Sequence, residues 1–205
     1  MTGKYLGRHP EPPKDLATRK LRTHTLPRGQ KLWRIHWWNK NAVFFGKTGA
    51  GRFDSPDGSF GALYVGLDEL CAFVETFGQK TGCRFVTEMA LKQRHLSSLE
   101  LKRDLQLVDL AGEGGLALLG ADSRLFSDSH PLSQRWSQAL HNHESNPAGI
   151  IYSARHDPSK RACALFDRVA PATFEITDIG PLLDARNLKL LAKILDTYGF
   201  SLIES

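Results

Sequence analysis

Cysteine is scarce and shows no pairing pattern. Cys71, Cys83 and Cys163 are odd in number and share no Cys-x-x-Cys spacing, which argues against a disulfide scaffold and a zinc ribbon. They read as small buried hydrophobes of a chain kept in a reducing cytoplasm. Long apolar runs are also missing. None approaches the roughly 18–20 residues that cross a bilayer, so no membrane association is expected. Met1 to Gln30 contains no apolar segment of the secretory-signal kind. There is no Gly-x-Ser-x-Gly elbow and no metal-ligand spacing, so no metal site is expected. His141 and His143 lie at i and i+2, and on a helix they point in different directions. The chain has neither internal repeats nor low-complexity segments.

What is present is enough for a core. Hydrophobic residues make up 41% of 205 residues, consistent with one domain at this size. The net charge of +5 is uneven: residues 1–31 hold eight Lys or Arg against two acids, the remainder 19 against 20. The basic character therefore belongs to residues 1–30, an extended segment that includes Pro10, Pro12, Pro13 and Pro27. Such an arm can bind nucleic acid or an acidic partner. A non-catalytic binding protein of that kind is the alternative reading, and it predicts salt-dependent binding that vanishes when the arm is removed. Tyr5 is the arm's one aromatic and no docking motif follows. The arm is read as a tail wrapping its own domain, residues 31–205, and direct nucleic-acid binding is not expected.

From Lys31 the pattern changes. In KLWRIHWW, Leu32, Arg34 and His36 alternate with Trp33, Ile35 and Trp37, which predicts a strand. AVFF (42–45) reads as a short second strand and GALYVGL (61–67) as another. LDELCAFVETFG follows as a helix, with Asp68 at its start and Gly78 at its stop. Leu67, Leu70, Cys71, Val74 and Phe77 form its apolar stripe, and Glu75 lies off that stripe. Residues 97–112 alternate as one long bent strand or two. GGLALLG reads as a short helix and HPLSQRWSQALHNHE as a longer one, with Pro131 in its first turn. AGIIYSAR, ACALFDRV and FEITDI read as strands. DARNLKLLAKILDTYG is an amphipathic helix stopped by Gly199, and FSLIE a last strand. Strands and helices do not alternate regularly, so the predicted class is α+β.

Gly46-Lys47-Thr48 invites comparison with a phosphate-binding P-loop, which requires Gly-x-x-x-x-Gly-Lys-Ser/Thr opening a helix after a strand. The position of the first glycine is Asn41, the intervening Ala-Val-Phe-Phe is too bulky to curl around phosphate, and Gly49, Gly51, Pro56 and Gly58 break any following helix. The P-loop reading fails.

Four segments remain that make sense together: LWRIHW with Arg34, GAGRFDSPDG with Arg52, GALYVGLDELCAFVE with Tyr64 and Glu75, and GIIYSAR with Ser153. In this order they resemble the RES-domain family, named for its Arg, Glu and Ser, over roughly Lys31 to Arg168. The resemblance implies an ADP-ribosyltransferase-like α+β fold with mainly antiparallel sheets and flanking helices. It implies an enzyme that consumes NAD by cleaving the nicotinamide–ribose bond, with phosphate, water or a protein side chain as acceptor. NAD is then the substrate, with no further cofactor. It also implies the toxin of a toxin–antitoxin pair, held inactive by an Xre-type antitoxin. By the same resemblance Glu75, Tyr64 and Arg52 fall on catalytic positions, and Arg34, Arg52, Tyr64 and Ser153 on NAD-binding ones. Arg155 is a reserve candidate. This chain departs from the family pattern in Phe53-Asp54, where Trp-Asn is frequent, and in Tyr152, where proline is frequent.

These residue types suit that chemistry. Planar guanidinium groups fork onto a pyrophosphate with charge-assisted hydrogen bonds that lysine cannot match. Glycines beside Arg52 permit close approach of backbone to ligand. Loss of nicotinamide develops positive charge on the ribose, as in glycoside hydrolysis, and a nearby carboxylate stabilises that charge most in the transition state. Glu75 either does this, holds a ribose hydroxyl or positions the acceptor. Tyr64 suits packing on the nicotinamide ring, and Ser153 a hydrogen bond to phosphate, ribose or acceptor. This reading expects NAD cleavage largely to survive removal of residues 1–30.

Overall fold

The alternating run after Lys31 is a strand, Lys31–Trp37, in a computed structural model that describes residues 11–127 and 130–204. The strands are β1 (Thr23–Leu26), β2 (Lys31–Trp37), β3 (Ala62–Gly66), β4 (Phe85–Thr87), β5 (Arg94–Leu101), β6 (Leu105–Asp109), β7 (Gly149–Ser153), β8 (Arg161–Phe166), β9 (Phe174–Gly180) and β10 (Ser201–Ile203). The helices are α1 (Glu69–Phe77), α2 (Glu88–Lys92), α3 (Gly115–Leu119), α4 (Arg124–Ser127), α5 (His130–His141) and α6 (Leu188–Tyr198).

Eight strands form one sheet in the order β1-β6-β7-β8-β3-β2-β5-β9, and β10 and β4 pair separately. Every neighbouring pair in the large sheet is antiparallel except β6 and β7. A parallel pair demands a long crossover, and here the crossover carries α3, α4 and α5. Period-two alternation divides the core. Ile150, Tyr152, Ala162, Ala164 and Phe166 pack with Phe53, Phe60 and Trp136 on one face. Ile151, Cys163 and Leu165 pack with Leu26, Leu32, Leu63, Leu99 and Leu107 on the other. The second cluster draws on strands from both ends of the order, so the sheet curls and buries that face against itself. A third cluster seats α1 and α6 through Phe73, Leu191 and Ile194.

The described part of the basic arm belongs to this body. Leu16 and Leu26 are each 1% exposed and lie in the first and second clusters. β1 pairs with β6 from Thr23↔Val108 to Leu26↔Leu105, so the boundary drawn at residue 31 falls between two strands of one sheet. Residues 1–10 of the arm lie outside the described residues.

One expectation is overturned and two are refined. Ala42–Phe45 is not a strand: Asn41 Oδ1 accepts the Val43 N–H at 2.8 Å, Arg34 takes the Phe44 carbonyl, and only Gly46 bridges Ala62. Side chains have claimed the groups that a ladder would use. Residues 97–112 do form two strands, but β5 and β6 pair with different neighbours rather than with each other. Gly78 ends α1 with φ −79° rather than in the left-handed region, whereas Gly199 caps α6 at φ 62°.

Candidate functional site

The large sheet is weakest at its middle. β2 and β3 share a single ladder position, Trp33↔Gly66, and the strands part beside it. A cavity of about 330 Å³ opens there. Arg34, Arg52, Tyr64, Glu75 and Ser153 all line it, joined by Arg155. The sequence-predicted residues, drawn from four separated segments, thus share one pocket. Gly66 is where the chain turns back towards α1: an added Cβ would lie 2.8 Å from Ala72 N and 2.9 Å from Asp68 O. Asp68 then caps α1, accepting the Cys71 N–H at 2.7 Å. This close return puts Glu75, two turns on, over the gap.

Arg34 enters from β2, and its Nη1 donates to the Phe44 carbonyl at 3.1 Å. Among the described residues it makes no ion pair with a carboxylate. Burial alone pulls its pKa down to about 10, so the cation is held at a desolvation cost and would gain from an anionic ligand.

Arg52 projects from residues 49–54, a loop fixed from several sides. Gln134 Nε2 donates to the Gly49 and Gly51 carbonyls at 2.7 and 3.0 Å, and His130 Nδ1 donates to the Ala50 carbonyl at 3.0 Å. Asp54 accepts the Gly51 N–H at 2.9 Å and the Tyr64 hydroxyl at 2.9 Å, and that hydroxyl accepts the Phe53 N–H at 2.8 Å. Phe53 is fully buried in the first core cluster. The departure from the family pattern at Phe53-Asp54 is therefore structural: one residue roots the loop and the other ties it to β3. Burial and the carboxylate of Asp54 push the Tyr64 hydroxyl well above its ordinary pKa. The Arg52 guanidinium itself reaches Ser133 Oγ at 3.3 Å. Burial, then the charge of nearby Arg155, makes it easier to deprotonate than a free arginine.

Glu75 is the acid of the pocket. One carboxylate oxygen accepts the Arg155 N–H at 3.2 Å and the other the Tyr152 hydroxyl at 3.4 Å. Burial raises its pKa, opposed by these two bonds and by the charges of Arg52 and Arg155. Ser153 closes β7, in register with Arg161, at the pocket wall. Sequence reasoning gave Tyr152 no role, yet its ring packs 4.9 Å from Phe53 and its hydroxyl holds Glu75. Its position next to Ser153, at a point of departure from the family, was the available signal.

The rejected motifs lie elsewhere. Lys47 pairs with Asp167 at 3.1 Å. His141 stacks on Phe60 with ring centroids 4.1 Å apart, and buried His143 meets the Arg19 carbonyl at 2.8 Å.

The RES domain model matches residues 31–188 of this chain. A curated relative, "Probable toxin y4kH" of Sinorhizobium fredii (strain NBRC 101917 / NGR234), is 34% identical over 113 residues, covering 55% of this chain and 86% of that protein. Among solved structures, the crystal structure of the M. tuberculosis MbcT–MbcA toxin–antitoxin complex superposes with a TM-score of 0.58 at 19% identity, covering 82% of this chain and 92% of the matched chain. At that identity the likeness is one of fold. The fold is the expected α+β one, a curled, mainly antiparallel sheet with flanking helices, and it is shared with that structure.

Proposed function

The chain belongs to the RES domain family, and from that premise we propose that it is an NAD-consuming enzyme that breaks the nicotinamide–ribose bond and serves as the toxin of a toxin–antitoxin pair. One observation carries the catalytic part. Three arginines, Arg34, Arg52 and Arg155, and one half-buried carboxylate, Glu75, face a single cavity. Excess positive charge suits a dinucleotide's pyrophosphate. A lone carboxylate suits a sugar carbon that becomes cationic.

In this reading Arg34 and Arg52 hold the anionic bridge, and the anion offsets part of their desolvation. Tyr64 has its hydroxyl engaged by Asp54 and Phe53, so it offers its ring to the nicotinamide. Glu75, oriented by Tyr152 and the Arg155 N–H, stabilises the developing charge on the ribose. Ser153 serves phosphate, ribose or acceptor. The names of the relatives support the toxin role: one is a probable toxin and the other was solved with an antitoxin. An Xre-type antitoxin is the proposed partner and the cytoplasm the proposed site of action. The latter accords with three free cysteines and with the absence, among the described residues, of a helix long and apolar enough to cross a membrane.

The test is nicotinamide release from NAD by the purified protein and by Glu75→Gln. Wild type should release nicotinamide, and the variant should lose roughly 10²–10³-fold in kcat. Equal rates in the two would remove Glu75 from the chemistry, and no release by either would remove NAD cleavage. Products formed with and without phosphate, and any mass added to host proteins, distinguish phosphorolysis, hydrolysis and transfer.

A further inference from the structure

Few groups lining the cavity can take up a proton. Arg34, Arg52 and Arg155 are cations, and Thr76, Gln79 and Ser153 are not bases near neutral pH. The Tyr64 hydroxyl donates to Asp54 and accepts from Phe53, and the Tyr152 hydroxyl donates to Glu75. Two groups remain, Glu75 and His130. Both oxygens of Glu75 are engaged, one by the Arg155 N–H and the other by the Tyr152 hydroxyl, and its charge already serves the sugar.

His130 is the first residue of α5 and is exposed. Its Nδ1 lies 3.0 Å from the Ala50 carbonyl oxygen. A carbonyl only accepts, so Nδ1 carries the hydrogen, and in the neutral ring the lone pair is on Nε2. Nε2 has no hydrogen-bond partner among the described residues. One ring nitrogen is thus tied to the loop that carries Arg52 while the other is left open, and imidazole is the side chain that exchanges a proton near neutral pH.

Resting on the NAD-consuming reading above, we infer that His130 is the general base for the acceptor, and that the acceptor it serves is water. The water oxygen bonds to the ribose carbon and one of its protons passes to Nε2. The carbon–nitrogen bond breaks with its electron pair staying on nicotinamide, which leaves neutral. His130 then returns the proton to solvent. Phosphate dianion attacks through an oxygen with no proton to lose, so a base in the cavity marks hydrolysis rather than phosphorolysis.

His130→Asn tests this, because the asparagine amide can donate to the Ala50 carbonyl in place of Nδ1 but has no basic nitrogen. In phosphate-free buffer, nicotinamide release by the variant should fall about 10²-fold in kcat, with KM for NAD nearly unchanged. Azide, an anionic nucleophile with no proton to lose, should restore release in the variant and yield ADP-ribosyl azide. Gln134→Ala is the control: it frees the Gly49 and Gly51 carbonyls of the same loop and should raise KM without any rescue by azide. Release that is unchanged in His130→Asn, or lost with a raised KM and no response to azide, overturns the inference and leaves His130 as a tie for the loop. A wild-type protein that releases nicotinamide only when phosphate is supplied keeps the NAD reading and overturns the base. No release by wild type in either buffer overturns both.

Discussion

At the scale of single residues, the candidate site holds charge at a cost in stability. Glu75 is a carboxyl group whose pKa burial has raised, so the folded state favours its protonated form more than the unfolded chain does. A raised carboxyl pKa means that stability is fullest below the unfolded value and declines as pH rises through the carboxylate range. Glu75→Gln removes that decline. We expect the variant to melt at a higher temperature than wild type near neutral pH, with the gap closing as the pH is lowered to where both forms are neutral. Thermal unfolding of the two proteins across pH measures this directly, and a variant less stable at neutral pH would contradict it. The same shift has a catalytic face. In the proposed reaction the ionised form is the one that stabilises a cationic sugar, so activity should fall on the acid side at a pH above the ordinary glutamate range. Tyr152→Phe, by removing a hydrogen bond to that carboxylate, should push the acid limb higher still and lower kcat more than it changes KM. A profile that does not move would assign Tyr152 to packing alone.

At the scale of elements, the loop carrying Arg52 is the part whose order has to be explained, because glycine-rich stretches are ordinarily loose. Its order comes from Asp54, Tyr64, Gln134 and His130, which together bind its backbone. Gly51 is needed for space rather than for φ: an added Cβ would fall 2.6 Å from Asp54 Oδ1 and 2.8 Å from Tyr64 Cε2. Gly51→Ala should therefore displace the loop, costing about 1–3 kcal/mol of stability and raising KM for NAD, while nearby Gly49→Ala acts through a backbone at φ 71° in open space. Melting temperatures and steady-state kinetics of the two variants separate crowding from strain. Much at this scale was legible in the sequence. Strands β2, β3, β7, β8 and β9 and helices α1, α5 and α6 follow from periodicity, with Asp68 and Gly199 as their punctuation. What stayed hidden depended on partners distant in sequence. Phe85–Thr87 is a strand only because residues 201–203 run beside it, and Ala42–Phe45 loses strand geometry to the Arg34 and Asn41 side chains. Of the candidate site, the residues with charge or a motif were named from the sequence and line one cavity, whereas Tyr152 and Asp54 were not assigned roles, because they hold other groups and spacing carries no trace of that.

At the scale of the molecule, the site spans a seam. Arg34 stands on β2, while Tyr64 and Ser153 stand on β3 and β7 across the gap, so the pocket keeps its shape only if the curled sheet holds both halves in place. The N-terminal segment contributes to that. Leu16 and Leu26 bring nearly complete burial to the two clusters on either face of the sheet, Glu144 N donates to the Ala17 carbonyl at 3.1 Å, and β1 edges the sheet beside β6. Each buried leucine is worth about 2–5 kcal/mol against alanine, and a domain's whole stability is about 5–15 kcal/mol. The sequence alone led to the expectation that catalysis would survive loss of residues 1–30. The packing reverses it: the truncated chain should lose cooperative unfolding or melt far below the full-length protein, and nicotinamide release should fall with it. Leu16→Ala and Leu26→Ala, made in the intact chain, should each lower the denaturant midpoint with little change in its slope, and their losses should add because the residues sit in different clusters. A truncated protein that unfolds cooperatively at the full-length midpoint would return the segment to the status of a detachable arm.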